Sequence, residues 1–448
     1  MINIFKKVVF DNINKLAIIE GNKHVNYGEL WDKISVYGDY LKRQGIGVVA
    51  IYGHKEIDMI VSILSCIYAK RAFVILDNSL PEDRIKKIIS ITNASLLIKV
   101  EDIKNIDIEN VTLEELSKYH NNKYVNEDSS NAYIVFTSGS TGEPKGVPIS
   151  YDNLINFISW IRDILGNYLD YVFNTANFNF DLSVADIFYS LWSGKTLIIN
   201  NEDRLMNLDK ANLLVATPTF VKMCLLDPNF NKENYSNLKT VFFCGERLNN
   251  IIVKKLYRRF SNIRIINAYG PSEATCAISA IDITKDMVNE NNLPVGDINN
   301  LATLLEIKNN EIILYGKSVF KGYINGEIIN KYHTGDLGFI YDNKLYLKGR
   351  IDNQIKYKGY RIELEEIENN ISLIEGVLDV VVLPVYNDNK EILYLKAFIV
   401  GNSNKEIIIE NLKKILPNYM IPKVFIFLDK LPINKNNKID RKALYDKY

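Results

Sequence analysis

The sequence predicts an α/β protein: a large N-terminal domain of packed mixed and parallel sheets with helices plus a β-rich subdomain, then a small α+β C-terminal domain. Three observations predict it. Strand-like and helix-like segments alternate through the first two thirds of the chain. Beyond Pro294 the pattern changes to short strands. From Arg361 it changes again, to a mixture of helices and strands of about a hundred residues, an ordinary size for a small domain.

The elements follow in order. "VVAIYG" (Val48–Gly53) reads as a buried strand and Asp58–Ala69 as a helix. "AFVILD" (Ala72–Asp77) is a strand, Pro81–Thr92 a helix opening on proline, and "SLLIKV" (Ser95–Val100) a strand. This βαβαβ order implies parallel strands with helices on their faces. It returns with "TLIIN" (Thr196–Asn200), "LLVAT" (Leu213–Thr217), "TVFFCG" (Thr240–Gly245), a helix over Ile251–Phe260 and "RIINAYG" (Arg264–Gly270). Two parallel-sheet units packed together are expected. "EIILYG" and "FIYDNKLYLKG" then read as antiparallel strands. The last segment reads as helix Glu363–Ser372, strands near Leu378–Pro384 and Leu393–Val400, helix Glu406–Leu416 and strand "KVFIFL". The expected domains are 1–351 and 352–448.

Composition narrows the function. Lysine plus arginine equals aspartate plus glutamate, 54 of each in 448 residues. Such a chain is not built around an electrostatic grip on nucleic acid or anionic lipid, so neither is an expected partner. Cys66, Cys224, Cys244 and Cys276 are scattered with no CxxC, which fits a reducing cytosol. The apolar run "MIVSILSCIYA" is too short to span a bilayer. "MINIFKK" lacks signal-peptide order, and a cytoplasmic protein is expected.

The chemistry concentrates in "YIVFTSGSTGEPKG" (Tyr133–Gly146), a strand feeding a loop of small and hydroxylated residues. Backbone N–H groups in such a loop form an anion nest, hydroxyls add donors and Lys145 adds charge. It is not a Walker loop: the sixth residue from Gly139 is Pro144, and from Gly142 it is Val147. A Gly/Ser tract alone also reads as an exposed turn.

The segment resembles the phosphate loop of the adenylate-forming superfamily, which includes amino-acid adenylation domains, acyl-CoA synthetases and luciferases. Further segments resemble that family's motifs in order: "VNYGEL" at Val25, "NAYGPSEAT" (Asn267–Thr275), "YHTGDLG" (Tyr332–Gly338), "GRIDNQIKYKGYRIELEEIE" (Gly349–Glu368) and "NKIDRKAL" (Asn437–Leu444). The resemblance implies ATP and Mg²⁺ as cofactors. Thr137, Ser138, Gly139, Ser140, Thr141, Gly142 and Lys145 would serve the ATP phosphates, and Glu273 would hold the metal. Asn267, Ala268, Tyr269, Gly270, Pro271 and Ser272 would meet the adenine side. Asp336 and Arg350 would grip the ribose, and Lys438 would be the catalytic cation. Read singly, Tyr269 is a core tyrosine, Glu273 a surface glutamate and Lys438 a solvated lysine in a polar tail. Asn437 stands where the family usually has glycine; asparagine tolerates positive φ better than other side chains.

In this family the small domain rotates after adenylation and presents a second face to a thiol. The resemblance thus implies a mobile C-terminal domain, with Asp352 at the hinge and Gly359 lining a tunnel for a phosphopantetheine arm. "FNFDLSVADIF" (Phe178–Phe188) bears on the acid. Asp181 falls where amino-acid-activating members place the carboxylate that pairs with the substrate's α-ammonium; it is also positioned to cap the helix after it. With "FFCGERL", the segment resembles the branch that loads D-alanine onto a carrier protein. That implies a substrate pocket including Asp181, Leu182, Cys244, Ala268 and Cys276. Cys276, Ala185 and Ala268 depart from the branch's usual residues, so a different small amino acid stays open. The region from Leu301 to Asp336 also looks compressed, away from the nucleotide motifs. No carrier signature follows the terminal motif, so a stand-alone enzyme is expected, with a small amino acid and a separate carrier protein bearing phosphopantetheine as partners. An adenylation enzyme of nonribosomal peptide synthesis and an acyl- or aryl-CoA ligase are the alternatives.

Overall fold

The computed structural model describes residues 1–43, 47–118, 128–139, 142–201, 205–290, 292–433 and 439–447. The chain divides into two compact units. The first holds Met1–Asn78, Ile89–Phe136 and Gly146–Ile351; the second holds Ser79–Ile88, Thr137–Lys145 and Asp352–Tyr448. It is a mixed α/β fold of sheets and helices, with a smaller C-terminal α+β portion.

Two large sheets belong to the N-terminal part. One has six strands, with Val48–Gly53 between the parallel strands Ala94–Lys99 and Phe73–Asp77. The other has eight strands. Its parallel centre runs Arg264–Tyr269, Thr240–Phe243, Leu213–Ala216, Tyr171–Asn174, Thr196–Ile199 and Leu16–Glu20. The antiparallel strands Ser279–Asp282 and Lys23–Asn26 close its two edges. The N-terminal hairpin therefore completes a sheet built mostly from residues 171–282. That pairing crosses about 180 residues, and no local pattern carries it. A five-stranded antiparallel sheet follows, containing Leu304–Lys308, Glu311–Tyr315, Tyr332–Tyr341 and Lys344–Arg350.

Local chemistry explains several elements. The helix Tyr27–Leu41 starts inside "VNYGEL": the Asn26 side chain accepts from Glu29 N at 2.8 Å, and Glu29 accepts from Asn26 N at 2.9 Å. This capping box satisfies two donors that a helix start leaves unpaired. The helix Ile57–Ala69 contains the run "MIVSILSCIYA", and nearly every one of its residues is buried. A helix apolar all round belongs in a core or a membrane. Here it is core, and each buried Ile, Leu or Met contributes about 1.5–3 kcal/mol. No helix among the described residues is long and apolar enough to cross a membrane.

In the second unit, Val377–Tyr386, Ile392–Gly401 and Val424–Leu428 form a three-stranded sheet. The helices Leu364–Ser372 and Lys405–Ile415 contribute Ile367, Ile371, Ile408 and Leu412 to a core with Val382, Ala397 and Ile399. Before it, Ile355–Tyr357 and Tyr360–Ile362 make a hairpin. Its two turn residues, Lys358 and Gly359, have φ of 54° and 85°. Positive φ at both positions is the signature of the tightest hairpin turn, so Gly359 has a local reason to be glycine.

Candidate functional site

In open parallel sheets, ligands bind beyond the carboxyl ends of the strands. Three strands near one end of the eight-stranded sheet's order deliver motif residues there. Asp181 follows Tyr171–Asn174, Cys244 follows Thr240–Phe243, and Gly270–Ser272 follow Arg264–Tyr269.

Asp181 immediately precedes the helix Leu182–Trp192, yet its side chain makes no capping bond. The carboxylate instead accepts a hydrogen bond from the Ser272 hydroxyl, 2.5 Å from Oδ2. Two elements 91 residues apart in sequence thus meet on one charge. The sequence expectation of a cap is corrected: the helix start leaves this carboxylate to the Ser272 side. Tyr133 and Cys276 sense its charge. The Tyr133 hydroxyl is buried with no hydrogen-bond partner among the described residues, and burial, then Asp181, holds it well above the usual tyrosine range. Cys276 is pushed up first by a hydrogen bond with Cys244 and then by burial, with Asp181 and Asp186 adding to the effect. Cys244 Sγ also donates to the Cys276 carbonyl at 3.9 Å. Leu182, Ala268, Cys244 and Cys276 are all buried.

The backbone beside this cluster is strained. Thr275 and Cys276 both have positive φ, 61° and 71°, and neither is glycine. Such residues cost energy and persist where surrounding structure fixes them. Thr275 is pinned by its hydroxyl to the Ser318 carbonyl at 2.8 Å. Gly270 lets the segment fold back on itself: a Cβ there would stand 2.5 Å from Ala277 Cα and 2.8 Å from Cys276 O. Both are backbone atoms that cannot swing away. Gly270→Ala is expected to destabilise the protein by about 1–3 kcal/mol, read as a lower Tm in a thermal melt.

Glu273 is fully buried, and the Tyr323 hydroxyl donates to its Oε1 at 2.5 Å. Tyr269 and Arg350 converge on Asp336. The tyrosine hydroxyl donates to Oδ2 at 2.7 Å and Arg350 Nη1 to Oδ1 at 2.6 Å. Asp336 and Arg350 are opposed in register on the paired strands Tyr332–Tyr341 and Lys344–Arg350. Asn267 is buried, with one amide donor on the Pro294 carbonyl at 2.8 Å.

The glycine-rich loop lies in the second unit. Ser138 Oγ donates to the Arg361 carbonyl at 2.9 Å and accepts from Glu363 N at 2.9 Å. Gly139 N donates to Glu366 Oε2 at 3.0 Å, while Arg84 Nη1 binds Oε1 of the same carboxylate at 2.5 Å. Asn370 donates to the Gly142 carbonyl at 3.3 Å. Thr137 Oγ1 is buried without a hydrogen-bond partner among the described residues, and Lys145 begins the strand that leaves the loop. Asp352 opens the last segment of this unit, its carboxylate accepting from Gln354 N at 3.2 Å. Ser140, Thr141 and Lys438 lie outside the described residues.

Sequence reasoning missed two buried ionisable residues that hold one strand end. Lys55 is 3% exposed and donates to the Thr175 carbonyl at 3.2 Å. Asp186 is fully buried, and Asn174 Nδ2 donates to its Oδ2 at 2.8 Å. Burial pulls the Lys55 ammonium down to about 7 and pushes the Asp186 carboxyl up to about 8, each partly offset by the other's charge. An aspartate amid "LSVADIFYSLW" was the one available signal.

Comparison with known proteins places this geometry. The AMP-binding enzyme family matches residues 5–324, and the AMP-binding enzyme C-terminal domain matches residues 366–438. A D-alanine–D-alanyl carrier protein ligase of Bacillus velezensis is 38% identical over 473 residues, covering 94% of each chain. A ligase of the same name from Bacillus licheniformis is 35% identical over 495 residues, covering 99% of this chain and 98% of its own. The Vibrio cholerae adenylation domain AlmE, solved in complex with glycyl-adenosine-5'-phosphate, shares the fold at 23% identity with a TM-score of 0.84, covering 99% of this chain and 97% of its own. With its first 320-odd residues and its C-terminal segment both matched, the chain belongs to the AMP-binding enzyme family and is an enzyme.

Proposed function

We propose that this enzyme activates a small amino acid with ATP and passes it to a carrier protein. The amino acid's carboxylate oxygen attacks the α-phosphorus, the bond from that phosphorus to the bridging oxygen breaks, and pyrophosphate leaves. The product is an aminoacyl-AMP. In the second step a phosphopantetheine thiol on a separate carrier protein attacks the acyl carbon. Its proton is lost to solvent, AMP leaves, and a thioester forms. The names of the two Bacillus relatives support D-alanine as the amino acid.

One observation carries the reading. Asp181 is a half-buried carboxylate that makes no cap bond to its own helix, accepts from Ser272, and lies close enough to the buried Tyr133 and Cys276 for its charge to act on both. A half-buried carboxylate gains by pairing with a cation, and an α-ammonium is the cation an amino acid brings. Fatty and aryl acids bring none. An acyl- or aryl-CoA ligase would share the nucleotide motifs, but it has no use for this charge.

The remaining roles follow from chemistry. Asp336, with both oxygens fixed by Tyr269 and Arg350, would accept from ribose hydroxyls through its remaining lone pairs. Tyr269 would present its ring to adenine. Glu273 fits Mg²⁺ in a limited way: it offers hard oxygens in a buried place, and no group of three or more His, Cys, Asp and Glu gathers among the described residues. Mg²⁺ is commonly bound by one or two carboxylates together with substrate phosphates, which matches a single-carboxylate site. When bound, the ion would neutralise phosphate charge. Thr137, Ser138, Ser140, Thr141, Lys145 and the loop N–H groups would receive the leaving phosphates. Lys438 would hold the incoming carboxylate against the α-phosphate and neutralise developing charge. The hinge would lie at Asp352, where the last segment of the second unit begins.

The test is a pyrophosphate-exchange panel of L- and D-amino acids, with fatty and aryl acids alongside. Exchange driven by a small amino acid, D-alanine foremost, is expected. Exchange driven only by acids lacking an amine would overturn the reading. Lys438→Ala is expected to cut adenylate formation by about 100-fold or more. A variant as active as the wild type would remove its catalytic role.

A further inference from the structure

Lys55 lies outside the motifs, Asp186 lies within the segment Phe178–Phe188 but was given no role there, and the reaction steps above use neither. Their places in the first unit are specific. Lys55 follows Val48–Gly53, the centre of the six-stranded sheet. Asn174 and Thr175 stand at the carboxyl end of a central strand of the eight-stranded sheet. Asp186 lies five residues beyond Asp181, in the second turn of the helix Leu182–Trp192.

Two hydrogen bonds join these three elements. Lys55 grips the carbonyl of Thr175, and Asp186 grips the side chain of Asn174, its immediate neighbour. Asn174 also donates to the Ala176 carbonyl at 3.0 Å, and the Thr175 hydroxyl donates to the Val215 carbonyl at 2.8 Å. The strand end that feeds the Asp181 loop is thus held by a lysine from one sheet and an aspartate from the helix. Asp186 Oδ1 remains buried without a hydrogen-bond partner among the described residues. An apolar residue would spare that cost, since ionisable groups buried this deep are weak support for stability as such.

We infer that Lys55 and Asp186 are positioning residues of the amino-acid site: they tie the two sheets to the helix that presents Asp181, and so fix where the substrate's ammonium is recognised. The inference rests on the amino-acid reading above. It assigns these residues to ammonium recognition and not to the nucleotide.

The experiment uses the full chain in pyrophosphate exchange, with the best amino acid of the panel and with its hydroxy-acid analogue, which has a hydroxyl in place of the ammonium. Asp186→Asn is expected to raise the amino-acid KM by about 10-fold or more, because small displacements of a positioning group are costly. The ATP KM should stay unchanged, and preference for the amino acid over the hydroxy acid should fall with the KM effect. Lys55→Met should do the same, and it carries the test if Asp186→Asn does not melt cooperatively. The double variant should be no worse than the weaker single, as expected for residues acting through one shared strand end. Folded single variants with wild-type preference and KM would overturn the inference, as would effects that multiply in the double. A wild-type enzyme silent with every amino acid would overturn the parent reading as well, whereas an active wild type with unaffected variants overturns this inference alone.

Discussion

Asp181→Ala is expected to abolish amino-acid-dependent exchange while leaving a folded protein. The carboxylate meets the Ser272 hydroxyl at 2.5 Å, and its charge is felt at Tyr133 and Cys276. On the proposed reading, removing it would leave the incoming ammonium without its counter-charge. Truncating one partner of a buried charged pair costs about 2–5 kcal/mol, which corresponds to a loss of roughly 30-fold to several thousand-fold in kcat/KM. The loss should fall on the amino acid and not on ATP. Asp181 makes no helix cap, so the helix start should survive the change. A thermal melt beside the kinetics separates the two effects. Near-normal exchange by a folded Asp181→Ala enzyme would end the ammonium role.

Asp336→Ala is expected to damage both stability and nucleotide use. Its two oxygens hold the Tyr269 hydroxyl and the Arg350 guanidinium, and Thr334 Oγ1 accepts from its backbone N–H at 3.0 Å. The tyrosine is buried, and Arg350 is largely so. Breaking such a pair leaves an uncompensated cation and typically costs about 3–5 kcal/mol. Asp336→Asn separates the contributions. It keeps an oxygen for one partner and removes the charge, so Tm should recover in part while the ATP KM stays raised. An Asp336→Ala protein with wild-type Tm and ATP KM would show that this junction serves neither purpose.

Where the chain could be read directly, the reason is local. Val48–Gly53 is a strand with the predicted limits because six apolar or small residues end at a glycine. Its neighbours moved by a residue or two, as fraying ends do. The helices Ile2–Asp11, Tyr27–Leu41 and Tyr151–Leu165 and the hairpin Leu16–Asn26 went unread. The capping signals were present at Asn26 and Glu29, and at Ser150 and Asn153. The partner of Leu16–Glu20, however, lies at Leu197–Ile199. Sheet order is a long-range fact that alternation of apolar residues does not encode. The site divides the same way. Motif residues were nameable because each sits in a short recognisable stretch. Their contacts were not: Ser272 to Asp181 and Tyr323 to Glu273 join residues 91 and 50 positions apart. Lys55 belongs to no motif, Asp186 sits unassigned inside the segment Phe178–Phe188, and their shared strand end emerges only from packing.

One contact in the second unit bears on turnover. Glu366 sits against Gly139 N with Arg84 on its other oxygen, and Ser138 is spent on the backbone of Arg361 and Glu363. A single N–H cannot serve a carboxylate and a phosphate in full at the same time. If the loop receives the phosphates as proposed, Glu366 of the helix Leu364–Ser372 would have to give up Gly139 N each time a triphosphate arrives, and could take it back only once the phosphates have left.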